Sequence, residues 1–111
     1  MMKTKFEEFN DGILDICDVN SEDRLEKVKQ NLRYGNENVG IIRHYAARAA
    51  DTRVDRVVHI LQQKDIRPHQ IAVADGEQYD IEKTDHISST MPPVTKLSLI
   101  RMEKHREREF A

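Results

Sequence analysis

Hydrophobic positions along this chain fall mainly into short β-branched or alternating runs separated by turn residues. "GILDICDV", residues 12–19, lies between an Asp-Gly pair and the polar cluster "NSED", and reads as a strand. "VGIIRHY", 39–45, is a second β-branched run in which Gly40 marks a bulge. "TRVDRVVHIL", 52–61, is a third; Val54, Val58 and Ile60 share one face, with Arg56 as the exception. Ile71 and Val73 precede an Asp75-Gly76 pair, and Tyr79 and Ile81 follow it. Asp-Gly between alternating runs predicts a tight hairpin, because glycine accepts the positive φ that such a turn requires. "VTKLSLIRMEK", from 94, is a closing strand with Leu97 and Leu99 on one face.

Other segments are less decisive. In "LEKVKQNLRY", 25–34, Leu25, Val28 and Leu32 fit a helical stripe, whereas Val28, Gln30 and Leu32 fit one face of a strand. Residues 1–11 form a flexible opening segment, since the helical spacing of Phe6, Phe9 and Ile13 is interrupted by Asp11-Gly12. "GNEN" (35–38), "QQKDIRPH" (62–69) and "HISSTMPP" (86–93) read as loops. The charged tail, 105–111, reads as frayed or helical. The sum is a mainly β chain: a small antiparallel barrel or sandwich of five to six short strands, spanning 12–104, with one long loop that contains a short helix.

With 111 residues, the chain has room for one domain and one modest core. The formal net charge of -2 lacks the strong basic excess of a dedicated nucleic-acid binder, so any contact with nucleic acid must be local. The single cysteine, Cys17, excludes an internal disulfide and fits a reducing compartment; its apolar neighbours predict a buried thiol. No apolar run approaches the about 18 residues of a membrane helix, and "MMKTKFEEFNDG" has no signal-peptide core.

Catalytic patterns are not apparent. Gly12, Gly35, Gly40 and Gly76 are scattered, without a phosphate-binding arrangement. His44, His59, His69, His86 and His105 do not pair at metal-ligand spacing. Asp85-His86 reads as loop surface, and no serine sits in a nucleophile elbow. The expectation is a protein that is not an enzyme and needs no cofactor, metal or small-molecule substrate.

One segment stands apart. In "RHYAARAADTR", 43–53, Arg43, Arg48 and Arg53 face Asp51 alone, a local excess of two positive charges, and His44 lies among them. Ala46, Ala47, Ala49 and Ala50 favour helix, but about two turns do not hold in water without tertiary support. Three guanidinium forks suit phosphate contact, feebly in one copy and additively in many.

The stretches "RYGNENVGIIRHYAARAADTRVDRVVHI", "IRPHQIAVADGEQYDIE" and "VTKLSLIRME" together resemble the head-closure proteins of long-tailed bacteriophages, also called head–tail adaptors, head-completion proteins or stoppers. The shared pattern is an aromatic-x-Ala run (Tyr45, Ala47), a short insert and a β-branched strand from Val54 to Ile60. An I-x-P loop from Ile66 to Pro68, the stretch Asp75 to Ile81 and a closing strand from Leu97 to Arg101 complete it. The match spans roughly residues 30–104.

The resemblance implies a small β-barrel in a phage or prophage virion. It would form a homo-oligomeric ring below the portal at the head–tail interface, close the DNA channel after packaging and offer the tail a docking surface. It also favours strand for 25–34. Its expected partners are portal or adaptor ring proteins, tail proteins and packaged double-stranded DNA, with no membrane. Assembly would take place in the bacterial cytoplasm, from a chain that is monomeric or weakly associated when isolated. Carried over, the channel loop runs from about His44 to Arg53. Arg43, His44, Arg48 and Arg53 would face DNA, and Tyr45, Ala46, Ala47, Ala49 and Ala50 would pack the loop. The other readings are a monomeric nucleic-acid-binding barrel, which would want more exposed aromatics than Tyr34, Tyr45 and Tyr79, a small His- and Arg-dependent ribonuclease, and a generic subunit-interaction module.

Overall fold

The computed structural model of the chain describes residues 5–38 and 54–108. The strands are β1 (Lys5–Phe6), β2 (Gly12–Val19), β3 (Leu25–Asn36), β4 (Arg56–Leu61), β5 (Ile71–Ala74), β6 (Glu77–Ile87), β7 (Thr90–Met91) and β8 (Val94–Arg101). Six of them close into a barrel in the order β2-β3-β4-β8-β6-β5, and β5 returns to β2. Every pairing in the barrel is antiparallel. β1 and β7 form a separate short parallel pair. The expected mainly β barrel is therefore present, and no helix occurs among the described residues. The expected strand at 39–45 and the short helix around 46–50 lie outside those residues.

Side chains from all six walls fill the lumen, as in other narrow barrels. Leu14 and Ile16 (β2), Tyr34 (β3), Val58 and Ile60 (β4), Ala72 and Ala74 (β5), Tyr79 and Ile81 (β6), and Leu97 and Leu99 (β8) form one buried cluster. Ile66, from the loop after β4, enters the same cluster. The small Ala72 and Ala74 leave room for the two tyrosine rings.

Segment 25–34 is strand, and its ambiguous spacing has a cause. β3 carries two register shifts against β2, between Leu14 and Ile16 and between Ile16 and Cys17. Each adds one residue to β3, which resets the two-residue alternation. At the first, Asn31 adopts φ +57° and donates its backbone N–H to Asp15 Oδ1 at 2.9 Å. Val28, counted in both stripes, is 53% exposed. The predicted Asp75-Gly76 turn is present, with φ values of +55° and +77° as a type I′ hairpin needs.

The described parts of both terminal segments, residues 5–11 (expected to be flexible) and 105–108, lie on the barrel. The tail residues 105–108, expected as frayed or helical, run extended across the outside. The buried Gln78 amide clasps the Arg106 backbone on both sides, accepting from its N–H at 2.9 Å and donating to its carbonyl at 2.8 Å. The Leu25 N–H donates to the Glu107 carbonyl at 2.8 Å. Beside this tail a second apolar cluster unites Cys17, Leu25, Ile71, Val73 and Met102. At the other terminus, the opening segment crosses β3 and β4. Glu7 N–H donates to the Met91 carbonyl at 3.1 Å and Asp11 N–H to the Tyr34 carbonyl at 3.0 Å. This crossing requires Gly35, because a Cβ there would lie 2.4 Å from the Glu8 carbonyl oxygen and 2.5 Å from His59 Nε2.

Two stability predictions follow from this packing. Gly76→Ala, with open space around it but φ +77°, is expected to cost about 1 kcal/mol in urea unfolding. Gly35→Ala is expected to cost more, about 2–3 kcal/mol, because backbone must move to admit the methyl group. Separately, burial, reinforced by Asp15, pushes the Cys17 thiol from 9.0 up to about 11. A raised folded pKa stabilises the fold fully below the unfolded value, and that contribution disappears as pH rises through the folded one. Stability should therefore fall between pH 9 and about 11, and Cys17→Ala should flatten part of that slope in a pH series of thermal melts.

Candidate functional site at the root of the long insert

β3 and β4 are neighbours that share the register Tyr34↔Ile60, Gly35↔His59 and Asn36↔Val58. A hairpin of this kind is usually closed by a few residues. Here the connection runs from 37 to 55, while the other links inside the barrel are much shorter. It leaves from the end of the barrel where β4 begins and β8 ends.

The root has two feet. On one side Glu37 continues the ladder, donating its N–H to the Val57 carbonyl at 2.9 Å. Its carboxylate is buried on the outer face of the wall, 2.9 Å from Lys96 Nζ and 3.5 Å from His59 Nδ1. The side chains of Glu37, His59 and Lys96 are all 10% exposed or less. On the other side, Asp55 N–H donates to the Leu99 carbonyl at 2.9 Å, and Asp55 Oδ2 accepts from Arg101 N–H at 2.8 Å.

Between the feet lies Arg56, the charged exception on an apolar face. Its guanidinium bars the barrel mouth. Nε and Nη2 donate to Asn36 Oδ1 at 3.0 and 2.9 Å. Nη2 also reaches Tyr34 OH at 2.7 Å, and Nη1 reaches Asp75 Oδ2 at 3.1 Å and Tyr79 OH at 3.4 Å. Tyr34 OH donates to the same Asp75 oxygen at 2.9 Å. The guanidinium carbon sits 4.9 Å from the Tyr34 ring centre and 5.7 Å from that of Tyr79, within cation–π range. β4 and the β5–β6 turn are not neighbours in the barrel order, so the Arg56–Asp75 pair spans the opening.

The electrostatics follow from this packing. Burial alone would lower the pKa of Arg56, but its hydrogen bonds to Tyr79, Tyr34 and Asp75 outweigh that effect and raise it. Burial pushes the Tyr34 phenol up as well, with the bond to Asp75 adding and Arg56 opposing. A cleft of about 290 Å³ opens beside the bar, lined by Asp55, Arg56, Tyr79, Arg101 and Glu103. Two carboxylates and two guanidinium groups thus line the cleft.

Comparison with family models, curated proteins and solved structures finds no match.

Of the predicted site residues, Arg43, His44, Tyr45, Ala46, Ala47, Arg48, Ala49, Ala50 and Arg53 all lie outside the described residues. The structure describes the platform they spring from, and that platform was not among the predicted site residues. Arg56 carried a signal, as an arginine where the alternation called for an apolar side chain. Glu37, His59 and Lys96 carried none, because their contacts join positions far apart in the chain. No group of three or more potential metal ligands occurs among the described residues.

Arg56→Ala should cost about 2–4 kcal/mol, since it leaves Asp75 and two tyrosine hydroxyls without their shared donor. Arg56→Lys should recover only part of the loss, because an ammonium lacks the planar fork that reaches several acceptors at once. Chemical denaturation of the three proteins measures both effects.

Proposed function

We propose that this chain is a structural head–tail connector protein of a long-tailed bacteriophage or prophage. It forms a ring below the portal, closes the DNA channel after packaging and presents the tail with a docking surface. The observation that carries the reading is the long, locally basic connection rooted at one mouth of a closed small barrel. A connection of that length between two paired strands is uncommon in compact domains, and the bar at Arg56 gives this one a stiff base. The resemblance along residues 30–104 supplies the context.

In this reading His44 to Arg53 is a finger that meets packaged DNA. Arg43, Arg48 and Arg53 meet phosphates without regard to sequence, and Ala46, Ala47, Ala49 and Ala50 let several copies crowd around an axis. A single finger binds weakly. A ring multiplies the contacts, because each neutralised phosphate releases counterions. The overall charge of -2 fits a protein whose affinity for DNA appears only on assembly. Its partners are portal or adaptor ring proteins and tail proteins, and its place is the virion.

Deleting residues 46–50 should leave a folded barrel by circular dichroism yet produce heads that lose their DNA. The readouts are complementation of a phage lacking the protein and nuclease sensitivity of the resulting particles. Heads that retain their genomes and join tails normally would defeat the reading.

A further inference from the structure

His59 grips two separate parts of the chain with one ring. Nε2 donates to the Glu8 carbonyl at 2.7 Å and lies 3.4 Å from Glu7 Oε2. Nδ1 faces Glu37 Oε1 at 3.5 Å. The Phe9 ring packs edge-on against the same imidazole, with centroids 5.3 Å apart at 71°. Lys96, from β8, holds Glu37 from the far side at 2.9 Å. The Glu7, Glu37 and His59 side chains are each 6% exposed or less. Gly35, which pairs with His59 across the ladder, is the gap into which the Glu8 carbonyl fits.

We infer that residues 5–9 are a strap whose seating sets the firmness of the Glu37 foot of the insert. The strap and the foot do not belong to adjacent elements in sequence. They meet at His59, at the Gly35 gap and in the charges packed around them. Lifting the strap removes Glu8 and Phe9 from the ring, admits water to the Glu37–Lys96 pair and relaxes the reason for Glu37 to stay against the wall. Water weakens that attraction because a buried ion pair owes its strength to low local dielectric. The opposite face of the strap is open to solvent: Phe6 is 77% exposed and its ladder neighbour Met91 53%. The coupling stands whether or not the chain is a phage connector.

Linkage makes the effect reciprocal, which allows a two-way test by NMR-detected amide exchange on the full chain. Phe9→Ala should speed exchange of the Glu7 amide, which donates to Met91, and also of the Glu37 amide, which donates to Val57. Glu37→Gln should speed exchange at Glu7 in return. An acceleration on the order of five-fold or more is expected at each distant amide. The Ile81 and Met102 amides, bonded to Gln70 and Gln78 across the barrel, should keep the parent rate and so report that the barrel is intact. A Glu37 amide unchanged in Phe9→Ala, despite faster exchange at Glu7, overturns the coupling. So does a Glu7 amide unchanged in Glu37→Gln. If Glu37→Gln loosens the whole barrel, the Phe9→Ala measurement alone decides. Complementation with the 46–50 deletion tests the connector reading separately, and neither result bears on the other.

Discussion

The Arg56 guanidinium holds the mouth of this barrel in shape. An arginine on the inner face of a narrow barrel is costly unless each donor finds an acceptor. Here Asn36, Tyr34, Asp75 and Tyr79 supply those acceptors from β3, the β5–β6 turn and β6. The arrangement ties the first residue of β4 to the opposite wall. It also fixes the direction in which the chain arrives from the long insert. The turn that offers Asp75 is set by Gly76, so a local conformational preference and a cross-barrel ion pair depend on each other.

Two further layers surround this frame. On one side the tail covers Cys17, Leu25, Ile71 and Val73 and is locked by the Gln78 amide. On the other the opening segment lies over Gly35 and His59. Both terminal segments bury side chains on the outside of the barrel, which explains how a chain with few aromatics keeps so many residues from water. It also explains why β5 reads as a continuous apolar run, since Ala72 and Ala74 face the lumen cluster while Ile71 and Val73 face the tail.

What could be read in the sequence was what depends on near neighbours. The Asp75-Gly76 hairpin, the strand at 12–19, the Leu97–Leu99 face and the buried Cys17 each follow from a few adjacent residues. β3 resisted because its two extra residues mimic helical spacing, and nothing local announces a bulge paired with Asp15 on another strand. The tail looked loose because its charges dominate its composition, while its anchors are backbone groups that side-chain patterns do not reveal. The His59 cluster draws on positions 7, 8, 37 and 96. Only the odd placement of Arg56 hinted at the root of the insert in advance.

The order of strands has one more consequence. Among the described strands β8 comes last in chain order, and it closes the barrel between β4 and β6. Until it has left the ribosome, those two strands expose unpaired backbone edges and the apolar faces that Leu97 and Leu99 will cover. Such edges invite pairing with other chains. A chain cut before residue 94 would therefore keep those edges open and adhesive.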